Sequence, residues 1–240
     1  MNDPQLSNAA RFIDAYNRVD RQLEGKQSDT DYVSFSKRVR ASKLLVAPTR
    51  DVLLDYAELR NVILHTRGSH TGDPIAEPRD SVVEEFERIA DQLENPPRVA
   101  SVMPNQKVGV LDEASDSAEF LDLVREHNFS QAPVRMGDGS LELITTNAVA
   151  RWLASEYKAF SGAAIEHASL GEVLKFSEAE DKVLVRSREL TVVQAWRVFA
   201  GLENNTPPQA IAITHSGKVS EKPLALVVRS DLPALLKVLL

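Results

Sequence analysis

Residues 129–153 read FSQAPVRMGDGSLELITTNAVARWL, and this stretch decides the fold. Ala132 to Val134 lies at the centre of a short strand. Gly137-Asp138-Gly139 is a hairpin signal, because glycine adopts positive φ without a steric penalty. Leu141 to Thr145 supplies the returning strand, and Asn147 to Tyr157 reads as a helix. Upstream, Val108 and Val110 lie in an extended run, followed by a helix from Ser117 to about Glu126. The order is strand, helix, strand, strand, helix.

The same order returns downstream. Residues 183–187 (VLVRS) are extended, and Leu190 to Ala200 is helical. Residues 210–214 (AIAIT) and 224–228 (LALVV) are strands joined by the turn HSGKVSEKP, and Ser230 to Leu240 is helical. The two copies share element order and spacing more than residue identity, which makes this an internal repeat of βαββα units.

The stretch 129–153, with its second copy, resembles the CBS motif, and about residues 98–240 resemble a tandem CBS pair, or Bateman module. The resemblance implies a pseudo-symmetric disk whose cleft commonly binds an adenine nucleotide. Read from the residues, Val110, Pro133 and Ile211 could wall an adenine ring. Thr145, Thr146 and Asp231 offer the hydroxyl and carboxylate groups that a ribose needs, and helix-start amides could receive a phosphate. The family pattern places a Ser or Thr and an acidic residue three positions on in the same unit. Here Thr145 is followed by Ala148, while Asp231 is preceded by Val228, and the glycine positions hold Glu142 and Ala225. Each half keeps one part of the pattern. Thr145 is therefore either a ligand hydroxyl or a helix cap, and Asp231 either a ribose partner or a carboxylate favouring the helix dipole.

Residues 5–95 read as helices only. Leu6, Ala9, Ile13, Tyr16, Val19 and Leu23 mark one face of a first helix closed by Gly25. A second, about residues 31–45, would turn Tyr32, Phe35, Val39 and Leu45 inward. Pro48 opens a third with Val52, Tyr56, Leu59 and Ile63 inward, ended by Gly68. A fourth follows Pro78 with Val82, Phe86, Ile89 and Leu93 inward. Pro96-Pro97 ends it and marks a domain boundary. The expected architecture is α+β and multidomain: an all-α four-helix bundle over residues 1–96, then repeats over 97–165 and 166–240.

The third helix carries LRNVILH at residues 59–65. Arg60, Asn61 and His65 resemble the ribonuclease motif of HEPN domains, which are small helical bundles, many of them metal-independent ribonucleases acting as dimers. The chemistry suits the residues. His65 can move a proton near neutral pH, Arg60 can hold phosphate oxygens bidentately, and Asn61 can orient either group. Asn61 and His65 lie one turn apart, while Arg60 points about 140° from His65. Lys37, Arg38, Arg40 and Lys43 form a basic cluster that either tracks an RNA backbone or is a solvated helix face. Arg60 could instead pair with Asp55, Glu84 or Glu85, and His65 could cap its helix. His70 is a further candidate or an ordinary loop histidine. A related toxin subgroup has a Tyr two residues after the His; Arg67 stands there in this chain.

Composition narrows the classes. The chain has 240 residues, 43% of them hydrophobic, and a net charge of -7, so any nucleic-acid site is a local basic patch. With no cysteine, disulfides, thiolate metal sites and a cysteine nucleophile are excluded. No leader peptide and no apolar run of ~20 residues is present, pointing to a cytoplasmic protein without membrane partners. No glycine-rich phosphate loop, nucleophile elbow or metal cluster is found. The reading is a homodimeric, ligand-regulated, metal-independent endoribonuclease. It requires no cofactor, acts on RNA and senses an adenine nucleotide. The alternative is a non-catalytic nucleotide-sensing protein whose bundle mediates dimerisation or docking.

Overall fold

The computed structural model describes residues 6–24, 32–64, 74–103, 108–160, 168–203 and 206–239. The chain divides into two compact units, residues 1–97 and 98–238.

The N-terminal unit contains α1 (Asn8–Glu24), α2 (Phe35–Ala41), α3 (Ala47–Leu64) and α4 (Asp80–Glu94). Its core centres on Phe12, Tyr56 and Phe86. Phe12 and Phe86 meet edge-on with centroids 4.8 Å apart, and Tyr56 lies 4.9 Å from Phe86. Tyr56 is buried, and its hydroxyl donates to Glu85 Oε2 at 2.6 Å. Burial and that carboxylate hold its pKa above the ordinary tyrosine value. Small residues on α1, Ala9 and Ala15, are buried in the same core. Ion pairs fasten α1 to α4, with Arg11 to Glu87 at 2.6 Å and Arg18 to Glu94 at 2.6 Å.

Three expectations shift here. The buried stripe of α1 is Ala9, Phe12, Ala15 and Val19, with Leu6 exposed. The second helix is shorter than expected. Ser42 is extended and its hydroxyl accepts the Leu44 amide at 3.1 Å, a local bond that competes with helix continuation. Tyr32 precedes that helix and is 94% exposed, so it does not face the core. Gly25 and Gly68 lie outside the described residues.

The C-terminal unit contains two βαββα repeats. The first is β1 (Leu111–Asp112), α6 (Ser117–His127), β2 (Gln131–Arg135), β3 (Leu141–Thr145) and α7 (Thr146–Phe160), preceded by the short α5 (Val99–Val102). The second is β4 (Val183–Ser187), α9 (Val192–Phe199), β5 (Ala210–Thr214), β6 (Ala225–Val228) and α10 (Leu232–Leu236), preceded by the short α8 (Leu170–Leu174). In each sheet the first strand pairs parallel with the second, and the second antiparallel with the third. Gly139 and Gly217, in the two hairpin connections, both have positive φ, at 84° and 83°.

The repeats exchange their leading helices. Leu170 and Val173 of α8 are buried in the core of the first repeat beside Phe120, Ile144 and Trp152. Ser117 N donates to Ala168 O, and Leu170 N to Ser115 O. Reciprocally, Val99 of α5 is buried and its amide donates to Leu190 O of the second repeat. Each short helix thus completes the other repeat. No helix among the described residues is long and apolar enough to cross a membrane.

Candidate ligand cleft and candidate catalytic residues

The C-terminal unit holds a cavity of about 670 Å³. Its floor is apolar, from Val108, Leu123, Ala132, Pro133, Leu226 and Val228. Its polar groups come from His127, Asn128, Ser130, Gln131, Ser230 and Asp231. Local structure explains their convergence. Asn128 ends α6 in the left-handed conformation (φ 56°, ψ 32°), with its amide on Val124 O. Asparagine tolerates that conformation, and the reversal turns the chain from α6 into β2, bringing residues 127–131 to the cavity. On the other side β6 ends in a 3-10 turn, Arg229–Asp231, and Pro233 starts α10. Asp231 Oδ2 accepts the Val228 amide at 2.9 Å, which fixes the carboxylate at the cavity wall.

The six sequence-predicted ligand residues do not gather in one place. Pro133 and Asp231 line this cavity. Val110 does not line it; Val108 and Gly109, just upstream, do. Register explains the rest. Gln131 pairs with Thr145 in the first sheet, and Ala210 with Val228 in the second. Thr145 is therefore the counterpart of Val228, and Ile211 the counterpart of Ala132. Both therefore stand at the position in the C-terminal unit that is equivalent to this cavity and not in the cavity itself. There Ile211 is fully buried, and Thr145 caps α7, its hydroxyl accepting the Ala148 amide at 3.1 Å. Thr146 is half-buried and its amide donates to Ser130 O at 3.0 Å, a bond that joins the start of α7 to the segment before β2.

At the counterpart position the chain's own charges form a network. Asp181 Oδ2 receives Arg151 Nη2 at 2.8 Å, the Glu178 amide at 2.9 Å and the Thr145 hydroxyl at 3.3 Å. Arg151 also reaches Glu178 Oε1 at 2.8 Å and Phe176 O at 2.7 Å. The Asp181 side chain is 4% exposed.

In the N-terminal unit, Arg60 lies over the Tyr16 ring, 5.2 Å from its centroid, and Tyr16 stacks on Phe35 at 4.3 Å. Burial raises the Tyr16 pKa, with Asp20 adding to the effect. Among the described residues Arg60 forms no ion pair with Asp55, Glu84 or Glu85; its Nη1 meets Asn61 Oδ1 at 3.5 Å, and Asn61 is exposed. His65 and His70 lie outside the described residues. Of the basic cluster, Lys37, Arg40 and Lys43 are exposed. Arg38 is not free: it pairs with Asp20 at 2.5 Å and Glu24 at 3.5 Å of α1, with its side chain 12% exposed. No group of three metal-ligating side chains occurs among the described residues.

No protein-family model matches the chain, and no curated protein matches it. Several solved structures similar to part of it are described as CBS-domain proteins. One is CBSX2 in complex with AMP, at 14% identity and TM-score 0.41, covering 60% of this chain and 99% of that one. Another is a CBS domain-containing protein from Kribbella flavida DSM 17836, at 18% identity and TM-score 0.40, covering 59% and 97%. A third is a CBS domain pair in complex with 5′-methylthioadenosine and S-adenosyl-L-methionine, at 13% identity and TM-score 0.40, covering 57% and 98%.

Proposed function

We propose that the C-terminal unit is a tandem CBS pair that senses an adenine nucleotide in the cavity beside Asp231. The carrying observation is the cavity itself. Its volume, about 670 Å³, falls in the range of small-molecule sites, and its apolar floor and few convergent polar groups suit a flat base joined to a sugar. The base packs against Pro133 and the neighbouring aliphatic residues. The ribose hydroxyls donate to Asp231, which remains an acceptor after taking the Val228 amide. Calorimetric titration with AMP, ADP and ATP tests this. Asp231→Asn keeps an oxygen for the Val228 amide but removes the charge. A charge-assisted bond to a ribose contributes ~1.5–3 kcal/mol, so affinity should fall roughly 10- to 100-fold. Absence of binding by every nucleotide, or unchanged affinity in the variant, would sink this reading.

A second reading concerns the N-terminal unit: a HEPN-like, metal-independent ribonuclease regulated by the sensor and active as a homodimer. The observation favouring it is Arg60, stacked on Tyr16 and without a carboxylate partner among the described residues, beside exposed Asn61. Arg60 would hold the scissile phosphate, His65 would transfer the proton, and Lys37, Arg40 and Lys43 would follow the RNA backbone. Regulation requires the nucleotide to bind two states of the protein unequally. RNA cleavage in EDTA, compared between wild type and His65→Ala, decides it. Cleavage lost in the variant supports the enzyme, and no cleavage by wild type with or without nucleotide leaves a non-catalytic sensor.

A further inference from the structure

The two positions of the C-terminal unit that the strand register makes equivalent have opposite characters. The cavity beside Asp231 is open and floored by aliphatic groups. In its counterpart, the position of Val228 is taken by Thr145 and that of Asp231 by Ala148, as the strand register requires. Ala148 is fully buried and offers no carboxylate. A carboxylate arrives by another route, from Asp181, two residues before β4. Unlike Asp231, it is consumed internally. Three donors, from Arg151, Glu178 and Thr145, converge on one oxygen, Asp181 Oδ2.

We infer that this chain is a single-site sensor: the Asp231 cleft accepts a ligand, and the Arg151–Asp181–Thr145 network is a built-in occupant that closes the counterpart. This rests on the sensor reading above and specifies its occupancy. The physical reason has two parts. Admitting a ribose at Thr145 requires breaking bonds to a carboxylate that is 4% exposed, which would leave it desolvated and under-paired. Admitting a phosphate near Asp181 sets like charges together, and the guanidinium that could offset them is already shared between Asp181 and Glu178. The Asp231 cleft carries neither obstacle, because its carboxylate is held only by a backbone amide among the described residues.

The test uses the full chain and AMP as probe. Calorimetric stoichiometry should give no more than one AMP per chain. Asp231→Asn should weaken binding by tenfold or more, while Thr145→Val should leave affinity within about twofold. A stoichiometry of two, or a Thr145→Val loss matching that of Asp231→Asn, overturns the single-site inference while the sensor reading survives. No AMP binding by folded wild-type protein, with ADP and ATP also silent, overturns the sensor reading and the inference with it. Circular dichroism of each variant confirms that it is folded. Should Thr145→Val unfold, Arg151→Lys takes its place. It keeps a cation near Asp181 and should likewise leave AMP affinity and stoichiometry unchanged.

Discussion

Replacing Asp181 with Ala should destabilise the C-terminal unit by about 3 kcal/mol. Breaking a buried ion pair by removing one partner costs ~3–5 kcal/mol, because the remaining group stays desolvated. Asp181 meets the condition, with its side chain 4% exposed. Two facts place the cost at the lower end. Arg151 is 33% exposed, and it retains Glu178 Oε1 and Phe176 O. What loses its partner outright is the Glu178 amide, along with the proton of the Thr145 hydroxyl. The assay is urea unfolding followed by tryptophan fluorescence. Both tryptophans, Trp152 and Trp196, lie in the C-terminal unit, and Trp152 is 5% exposed in the first-repeat core, so the signal reports that unit. With a slope of ~1–3 kcal/mol per molar urea, the midpoint should fall by roughly 1–3 M. Asp122→Ala is the control. Its pair with Arg125 is exposed on both sides, at 57% and 73%, and its loss should cost below about 1 kcal/mol. An Asp181→Ala cost no larger than that of Asp122→Ala would refute the claim that the network is a buried, integral occupant.

Other outcomes follow from the same geometry. Phe86→Ala should cost the N-terminal bundle about 3–5 kcal/mol by circular dichroism, since Phe86 is fully buried against Phe12 and Tyr56; a cost below ~1 kcal/mol contradicts the aromatic core. Glu221 accepts the Ser216 hydroxyl at 2.6 Å and the Ser216 amide at 2.7 Å, which depress its pKa to about 2. A depressed carboxylate stabilises the fold above its unfolded pKa of ~4.3 and loses that effect as pH falls through the folded value. Wild type should therefore exceed Glu221→Gln in stability at neutral pH and converge with it between about pH 4 and 2; a pH-independent gap counts against the assignment. Gly171→Ala should destabilise by ~1–3 kcal/mol, because a Cβ would sit 2.8 Å from Glu113 Cγ while Glu113 is held by the Gly137 amide at 2.7 Å. Adding Glu113→Ala should recover much of that loss, and no recovery would mean the contact is not the cause.

The repeat was legible because strand alternation, hairpin glycines and helix-length apolar stripes are local signals, and both copies carry them. The four helices of the N-terminal unit were legible for the same reason, and Ala9 and Val19 on α1 and Phe86 and Ile89 on α4 are buried as expected. Phe12 and Val83 are fully buried, while Ile13 and Val82, expected inward, are partly buried against the same core, because packing chooses among adjacent apolar residues that periodicity treats alike. Tyr32 was expected on the inward face of a helix from about residue 31, but that helix begins at Phe35 and Tyr32 is 94% exposed. The exchange of α5 and α8 left no local signal. Each helix has only four or five residues, and its partners, Leu190 or Ser115, lie far along the chain. The cavity was half legible. Pro133, expected as an apolar wall, and Asp231, expected from the motif, line it, whereas Thr145 and Ile211 do not, because neither expectation says which repeat's strand faces the cavity. The αL turn at Asn128 was the missed signal. An Asn immediately after a helical stripe marks the reversal that brings His127, Phe129 and Ser130 to the cavity.

The difference between the two repeats can be tested from the opposite direction, by placing a carboxylate three residues after Thr145. Ala148→Asp would give the first repeat the hydroxyl and carboxylate together, with Thr145 three residues before it. From motif logic alone, this should create a nucleotide site in the first repeat. The structure argues otherwise. Ala148 is fully buried in the core with Phe120, Ile144 and Trp152, whereas Asp231, its counterpart, lines an open cavity. A carboxylate at position 148 would be desolvated near Asp181, whose network already uses the available guanidinium. Burying an unpaired charge costs several kcal/mol even after relaxation. Ala148→Asp should therefore lower the urea midpoint by more than Asp181→Ala does, and add no second AMP to the stoichiometry. The double variant Ala148→Asp/Asp181→Ala should recover stability relative to Ala148→Asp, since it removes the like charge and frees Arg151 to pair with the new carboxylate. A stable Ala148→Asp protein that binds two AMP molecules would show that the motif, rather than the surrounding burial, determines where this fold takes a ligand.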